Sequence, residues 1–376
     1  MALTNKIKFM NQEKTTASAG TTSTDWTDQG VVFNASELVA GHKYLMISWF
    51  NCKSPGSQEG GTRLIFDGGS AIPGSDHQRH DTNNNFMAVQ HIGEFTAPDP
   101  AVDIVIQRRV LYSDSETEQT DLGQVFVIDL DHELVDGTDY SSSEDTSTRT
   151  GGANYHIHTV DNTSGTMLIL ATARVYDQVA SEYNTLLGLS KNYTGGFGGD
   201  VELARASKFA QDAQDQKEIA FAAVANLNDG SKIKIKNLDE STTKCDYSYV
   251  FTLNIDDTPS ETVTGLLPSW THYGADSAGS GTWGTTTVNG NDNDSFVIVM
   301  GRQTTASAYS GKMAAVSIRN NTTNEWLLFK DRVEGDFDSG YFPGTDVQTD
   351  NGQLESSVIV GVGEIGGADE IEIVSL

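Results

Sequence analysis

"GHKYLMISWF", residues 41–50, leaves a small, polar turn and runs into a strongly apolar stretch. Its Tyr, Ile, Trp and Phe favour strands, and the glycine ahead of them marks the turn. "GTMLILATARVY" (165–176) and "DSFVIVMGRQ" (294–303) have the same form. The three recur about 125–130 residues apart, a domain-sized period and too long for a solenoid.

Other markers keep step with them. "FMAVQHIGEF" (86–95), "IAFAAVANL" (219–227) and "SSVIVGVGEI" (356–365) are apolar and end near Gly or Asn. Each leads through a short turn into a clean alternating strand: "VDIVIQRRV" (102–110), "SKIKIKNL" (231–238) and "DEIEIVSL" (369–376). A fourth marker occurs twice, as "GQVFVIDLD" (123–131) and "YSYVFTLNID" (247–256). The third copy is therefore expected to lack its last strand and to leave an edge that must be covered or paired. "NKIKFM" (5–10) could pair within the first copy or fill that edge.

The resulting expectation is all-β: three tandem antiparallel β-sandwiches over 1–138 (with an N-terminal arm), 139–258 and 259–376. Composition agrees, with 37 Gly and 7 Pro in 376 residues. "DGTDYSSSEDTSTRTGG" (136–152) reads as a polar linker. Within 199–227, Leu203, Ala206 and Ala210 fall at helical spacing beside good helix formers. One short helix is expected there, with a strand plus polar loop as the alternative.

The net charge of −28, spread along the chain, repels nucleic acid and anionic membranes, so neither is expected as a partner. It keeps a crowded protein soluble and suits a salty medium or a bridging divalent cation. "MALTNKIKFMNQEK" lacks the apolar core of a signal peptide, and no run approaches a membrane span, so synthesis and initial residence in a cytosol are expected. Cys52 and Cys245 fall in different copies and read as two reduced, packed thiols.

No nucleophile elbow, phosphate loop, dinucleotide fingerprint, zinc-protease motif or paired CxxC is present, so the expectation is a protein without catalysis. "GGFGGD" (195–200) has no lysine or helix context and reads as a turn or a contact. "YHIHT" (155–159) puts His156 and His158 on one strand face, either as exposed histidines or as half of a metal site. His77, His80 and Asp81 of "DHQRHD" would be its nearest complement in type, but they belong to another copy. Two acidic loops could hold a structural Ca²⁺ or could be ordinary Asx-rich turns: Asp129, Asp131, Asp136 and Asp139 in one, Asp292 and Asp294 in the other. No cofactor is otherwise expected. Trp270, Tyr273 and Trp283 could stack on sugar or pack internally.

Tandem sandwiches with an "ASELVAGHKYLMISW" opening (35–49), Gly/Asn/Thr-rich loops and no leader resemble virion surface proteins of tailed bacteriophages, either capsid decoration (cement) proteins or fibre segments. The resemblance is one of architecture and style, and it transfers no functional residue. It implies jelly-roll-like sandwiches, frequent trimers, the major capsid protein as partner and a virion-surface location after synthesis in the host cytoplasm. The leading expectation is a non-enzymatic decoration protein; the alternative is a tail-fibre or receptor-binding protein that adheres to host glycans. The arm "MALTNKIKFMNQEKTTASAG", with Lys6, Lys8 and Lys14 on an acidic chain, is either an adhesive segment or an ordinary first strand plus linker.

Overall fold

The computed structural model describes residues 6–14, 20–53, 59–81, 87–111, 119–150, 154–177, 183–192, 200–210, 216–238, 243–256, 281–289, 295–304, 315–332, 356–366 and 368–375. They form antiparallel β-sheets paired as sandwiches, and the one helical element among them is a single 3₁₀ turn, Ala35–Glu37.

The first sandwich contains β1 (Lys8–Lys14), β2 (Thr27–Phe33), β3 (Lys43–Lys53), β4 (Glu59–Phe66), β5 (His77–Asp81), β6 (Met87–Thr96), β7 (Ile104–Val110) and β8 (Gln119–Asp129). Its sheets run β1-β8-β3-β6 and β2-β7-β4-β5. That is the strand order of an eight-stranded jelly roll, which folds a long hairpin across two facing sheets. The second contains β9 (Tyr140–Asp145), β10 (Arg149–Thr150), β11 (Asn154–Thr159), β12 (Gly165–Tyr176), β13 (Tyr183–Asn192), β14 (Val201–Ala210), β15 (Lys217–Leu227), β16 (Lys232–Asn237) and β17 (Lys244–Asn254). Its sheets repeat the order, as β10-β17-β12-β15 with β9 also on β17, and β11-β16-β13-β14. The third contains β18 (Gly281–Asn289), β19 (Ser295–Thr304), β20 (Ala315–Asn320), β21 (Glu325–Arg332), β22 (Ser356–Ile365) and β23 (Ala368–Ser375). Its outer sheet, β18-β23-β20-β21, matches the others, but its inner sheet has two strands, β19 and β22. Among the described residues no counterpart of β1 or β8 joins that inner sheet.

The helix expected within 199–227 is absent from the described residues. Val201–Ala210 is strand β14, hydrogen-bonded along β13, and Lys217–Leu227 is β15. The ladder along β13 overrides the helix preference of the Ala- and Lys-containing stretch, a preference of only tenths of a kcal/mol per residue.

Alternation along β3 and β12 explains how the sandwiches join. On β3, Tyr44 and Met46 point into the first sandwich, together with Phe33, Phe95 and Ile106. Leu45 and Ile47 point the other way, into a second cluster. On β12, Met167 and Ile169 fill the second sandwich while Leu168 and Leu170 enter the same second cluster. Val360 and Val362 of β22 complete it, with Phe296 and Ile298 of β19 packed against it. The inner sheets of all three sandwiches thus bury their backs in one shared apolar centre. Each fully buried Leu, Ile or Phe there contributes about 1.5–3 kcal/mol.

Register makes the relation clear. Trp49 of β3 pairs with Gln90 of β6, Thr172 of β12 with Ala220 of β15, and Met300 of β19 with Val360 of β22. Gln90, Ala220 and Val360 are equivalent positions on equivalent strands, and β6, β15 and β22 meet at the centre. The Gln90 amide closes one contact: its Nε2 donates to the Val360 carbonyl and its Oε1 accepts the Val360 N–H at 3.2 Å. A side-chain amide here imitates a neighbouring strand.

The N-terminal segment is an ordinary first strand. Lys8–Lys14 pairs with β8 inside the first sandwich. Phe9 also reaches the third, with its ring 5.5 Å from Phe126 and 5.0 Å edge-on to Phe296.

Candidate functional site

Three polar clusters bear on the sequence expectations and on the joining of the sandwiches. The first lies at the seam between the first and second sandwiches. Glu218 opens β15, where its pairing with Arg174 places it against the first sandwich. Its carboxylate, fully buried, lies 2.8 Å from His77 Nε2 and 3.7 Å from His91 Nδ1. Thr172 Oγ1 donates to it at 2.7 Å, and the Ile92 N–H reaches it at 3.4 Å. The two imidazoles hold the Glu218 carboxyl far below the usual carboxylate range, against the opposing effect of burial. Burial pushes the His77 imidazole down, which outweighs the pull of Glu218.

Around this core, Arg174 of the second sandwich crosses the seam. Its Nη1 donates to the carbonyl of Gly74 at 3.1 Å and to that of Asp76, while Nε is fixed by Asp246 at 2.7 Å. Tyr247 is fully buried and inserts into the first sandwich. Its hydroxyl donates to the Ile92 carbonyl at 3.4 Å. Gly74 and Gly93 make room for it: a Cβ on Gly74 would enter its ring, and one on Gly93 would sit 2.7 Å from its hydroxyl and 2.8 Å from His91 Nε2. Tyr249 donates to Glu94 at 2.7 Å, and Lys43 pairs with the same carboxylate at 2.6 Å.

The second cluster answers the reading of "YHIHT". His156 and His158 are 4% and 3% exposed and point inward. Ser143 lies between them, 2.7 Å from His156 Nε2 and 2.8 Å from His158 Nδ1. Ser248 meets His156 Nδ1 at 2.9 Å, and Ser141 meets His158 Nε2 at 3.0 Å. Ser141 continues to Thr252 and Asn162. The Ser143 hydroxyl has one proton, so it donates to one imidazole and accepts from the other. All four ring nitrogens are engaged by hydroxyls, and burial pushes both imidazoles down to about 4. The arrangement holds two neutral histidines as hydrogen-bonding struts between the sheets of the second sandwich. His77 lies instead in the seam, against Glu218, and nothing is described of the side chains of His80 and Asp81.

The third cluster is the acidic loop after β8. Asp129, 1% exposed, faces His42 Nδ1 at 3.1 Å and accepts the Asp131 N–H at 3.1 Å. Asp131 accepts the Lys43 N–H at 2.8 Å. Asp139 pairs with Lys6 at 2.9 Å and accepts the Val135 N–H at 2.9 Å. Asp136 is exposed. These carboxylates brace a loop through backbone amides and cations, and among the described residues no three metal-ligating side chains converge. Asp292, Asp294, Trp270, Tyr273 and the glycines of "GGFGGD" lie outside the described residues. Trp283 falls on β18, and its side chain lies outside them. Cys52 and Cys245 are buried and unpaired with each other, and burial raises both thiols, Cys245 to about 12.

Sequence reasoning found the two strand histidines and the acidic loop but missed the seam. The available signal was Glu218, a carboxylate at the head of the otherwise apolar "EIAFAAVANL".

No protein-family model matches the chain, and no curated protein matches it in sequence. Distant structural likenesses are to β-sandwich proteins. The Eiger TNF of S. frugiperda is 11% identical, with 32% of this chain and 96% of that one covered and a TM-score of 0.26. The exported protein XepA of PBSX is 8% identical over 67% and 88%, with a TM-score of 0.18. The Macrobrachium rosenbergii nodavirus structure is 11% identical over 66% and 89%, with a TM-score of 0.19. At these values they assign no function.

Proposed function

We propose that the chain is a non-enzymatic structural protein of a virion surface, decorating or cementing a phage capsid. The observation that carries this reading is the shared apolar centre. Sandwiches joined by a linker alone swing freely, whereas three that bury their inner sheets in common form one stiff block. The polar interior supports it as well. Buried histidines, Glu218 and Arg174 hold strands and sandwiches together, and the net charge of −28 keeps such a body soluble at high local density. In this reading the partner is the major capsid protein, and the resemblance described above implies self-association, with a trimer as the expected assembly.

Mixing the purified chain with capsids that lack it, then sedimenting the particles, tests the proposal. Saturable co-sedimentation at a fixed ratio to the capsid subunit is expected; a chain that stays in the supernatant at micromolar concentration contradicts it. Retention on host-surface glycans without capsid binding would favour the tail-fibre alternative. Removal of residues 1–20 is unsuited to mapping the contact, because it deletes β1 and the Phe9 packing along with any adhesive surface.

A further inference from the structure

We propose that the seam between the first and second sandwiches is an acid-released joint, closed at neutral pH by Glu218 between His77 and His91 and parted by mild acid. The geometry is specific to this seam. Three ionisable side chains from two sandwiches meet with essentially no solvent contact: His77 and His91 are each 3% exposed and Glu218 is 4% exposed. The arrangement is under-satisfied. Both ring nitrogens of His91 have no hydrogen-bond partner among the described residues, and the short contact between carboxylate and imidazole is the 2.8 Å approach of His77 Nε2 to Glu218.

The charged groups facing this core set the direction. Arg174 on β12 lies beside His77, with Asp246 and Tyr247 of β17 behind it, and Glu144 on β9 is the next carboxylate beyond His91. At neutral pH Arg174 is paired with Asp246, and Glu218 is the carboxylate that faces the two imidazoles. A proton added to His77 creates a buried cation beside Arg174 and His91, and the cost of burying that charge outweighs the attraction of Glu218. The folded-state affinity of His77 for a proton is lowered, so its contribution is complete above about pH 6.5 and is lost as pH falls below that value. Glu218, also lowered, acts in the same direction below about pH 4.5.

The seam between the first and third sandwiches has the opposite character. Glu13, Glu325 and Glu364 lie near one another there, and burial with mutual repulsion raises the Glu13 and Glu364 carboxyls. Acid relieves that repulsion, so the first seam parts while the other holds.

Two amides report on the two seams. The Ile92 N–H contacts Glu218, and the Val360 N–H is bonded to the Gln90 side chain. Residue-resolved hydrogen exchange on the full chain, corrected for intrinsic pH effects, should show Ile92 losing at least tenfold protection between pH 7.5 and 5 while Val360 changes less than twofold. In the His77→Gln, Glu218→Gln double variant, the Ile92 response should vanish. Ile92 protection that is flat in the wild type, or an equal fall at both amides, overturns the proposal, as does an unchanged response in a folded double variant. If that variant fails to fold, the wild-type contrast between the two amides decides alone.

Discussion

Replacing Phe126 with alanine probes the shared centre. Phe126 is fully buried on β8, paired with Ile47 of β3 on one side and Asn11 of β1 on the other. Its ring lies 5.5 Å from Phe9, stacked, and 5.3 Å from Phe296, tilted. Deleting a buried Phe side chain costs about 3–5 kcal/mol, from lost transfer energy plus the cavity left behind. Each lost ring contact accounts for roughly 0.5–1.5 kcal/mol of that. Because Phe296 belongs to β19, part of the loss should fall on the third sandwich. The assay is urea unfolding with hydrogen exchange read strand by strand. Phe126→Ala should lower the unfolding free energy by about 3–5 kcal/mol and reduce protection in β19 and β22 as well as in β8. Phe95→Ala supplies the contrast, since Phe95 packs on Tyr44 and Phe66 inside the first sandwich. It should cost a similar amount and leave β19 and β22 protected. If Phe126→Ala also leaves β19 and β22 untouched, the sandwiches do not share a core and the reasoning fails.

Three further outcomes are expected. Gly93→Ala should destabilise the chain by about 1–3 kcal/mol in thermal melts, because the new methyl overpacks Tyr247 and His91; a neutral result would mean the seam is looser than the 2.7 Å approach implies. His156 and His158, lowered to about 4, contribute stability that is complete above pH 6.5 and lost as pH falls toward 4. The loss should be about 3 kcal/mol for each histidine, and His158→Gln should flatten the fall in urea midpoint between pH 7 and 4.5. Cys52 and Cys245 should resist a thiol reagent in the native chain and both react in denaturant, and fast native labelling of either would contradict their burial.

Much of the fold was legible because strands announce their surroundings. Outer strands such as "KIKIKN" alternate, which marks one buried face. The inner "KYLMISWFNCK" and "GTMLILATARVY" are apolar almost throughout, as strands buried on both faces must be, and in that sense the shared centre was written in the sequence. It went unread because a continuous apolar run does not say what covers its second face. Val201–Ala210 looked helical because Leu203, Ala206 and Ala210 match a helical period, and only the pairing with β13 decides otherwise. The histidines of "YHIHT" were visible as a pair, but their hydroxyl partners come from β9, in a stretch that reads as a polar linker, and from β17, 92 residues from His156. The Glu218 seam was illegible for the same reason: its members sit on β5, β6 and β15, and neither spacing nor motif links them.

The most direct test of the account is to count copies of this chain in purified particles by quantitative mass spectrometry against the major capsid protein. A decoration protein predicts copies in the hundreds, in a fixed ratio to capsid subunits. A few to a few dozen would place it on a tail fibre or spike, and its absence from the particle would contradict the virion reading altogether.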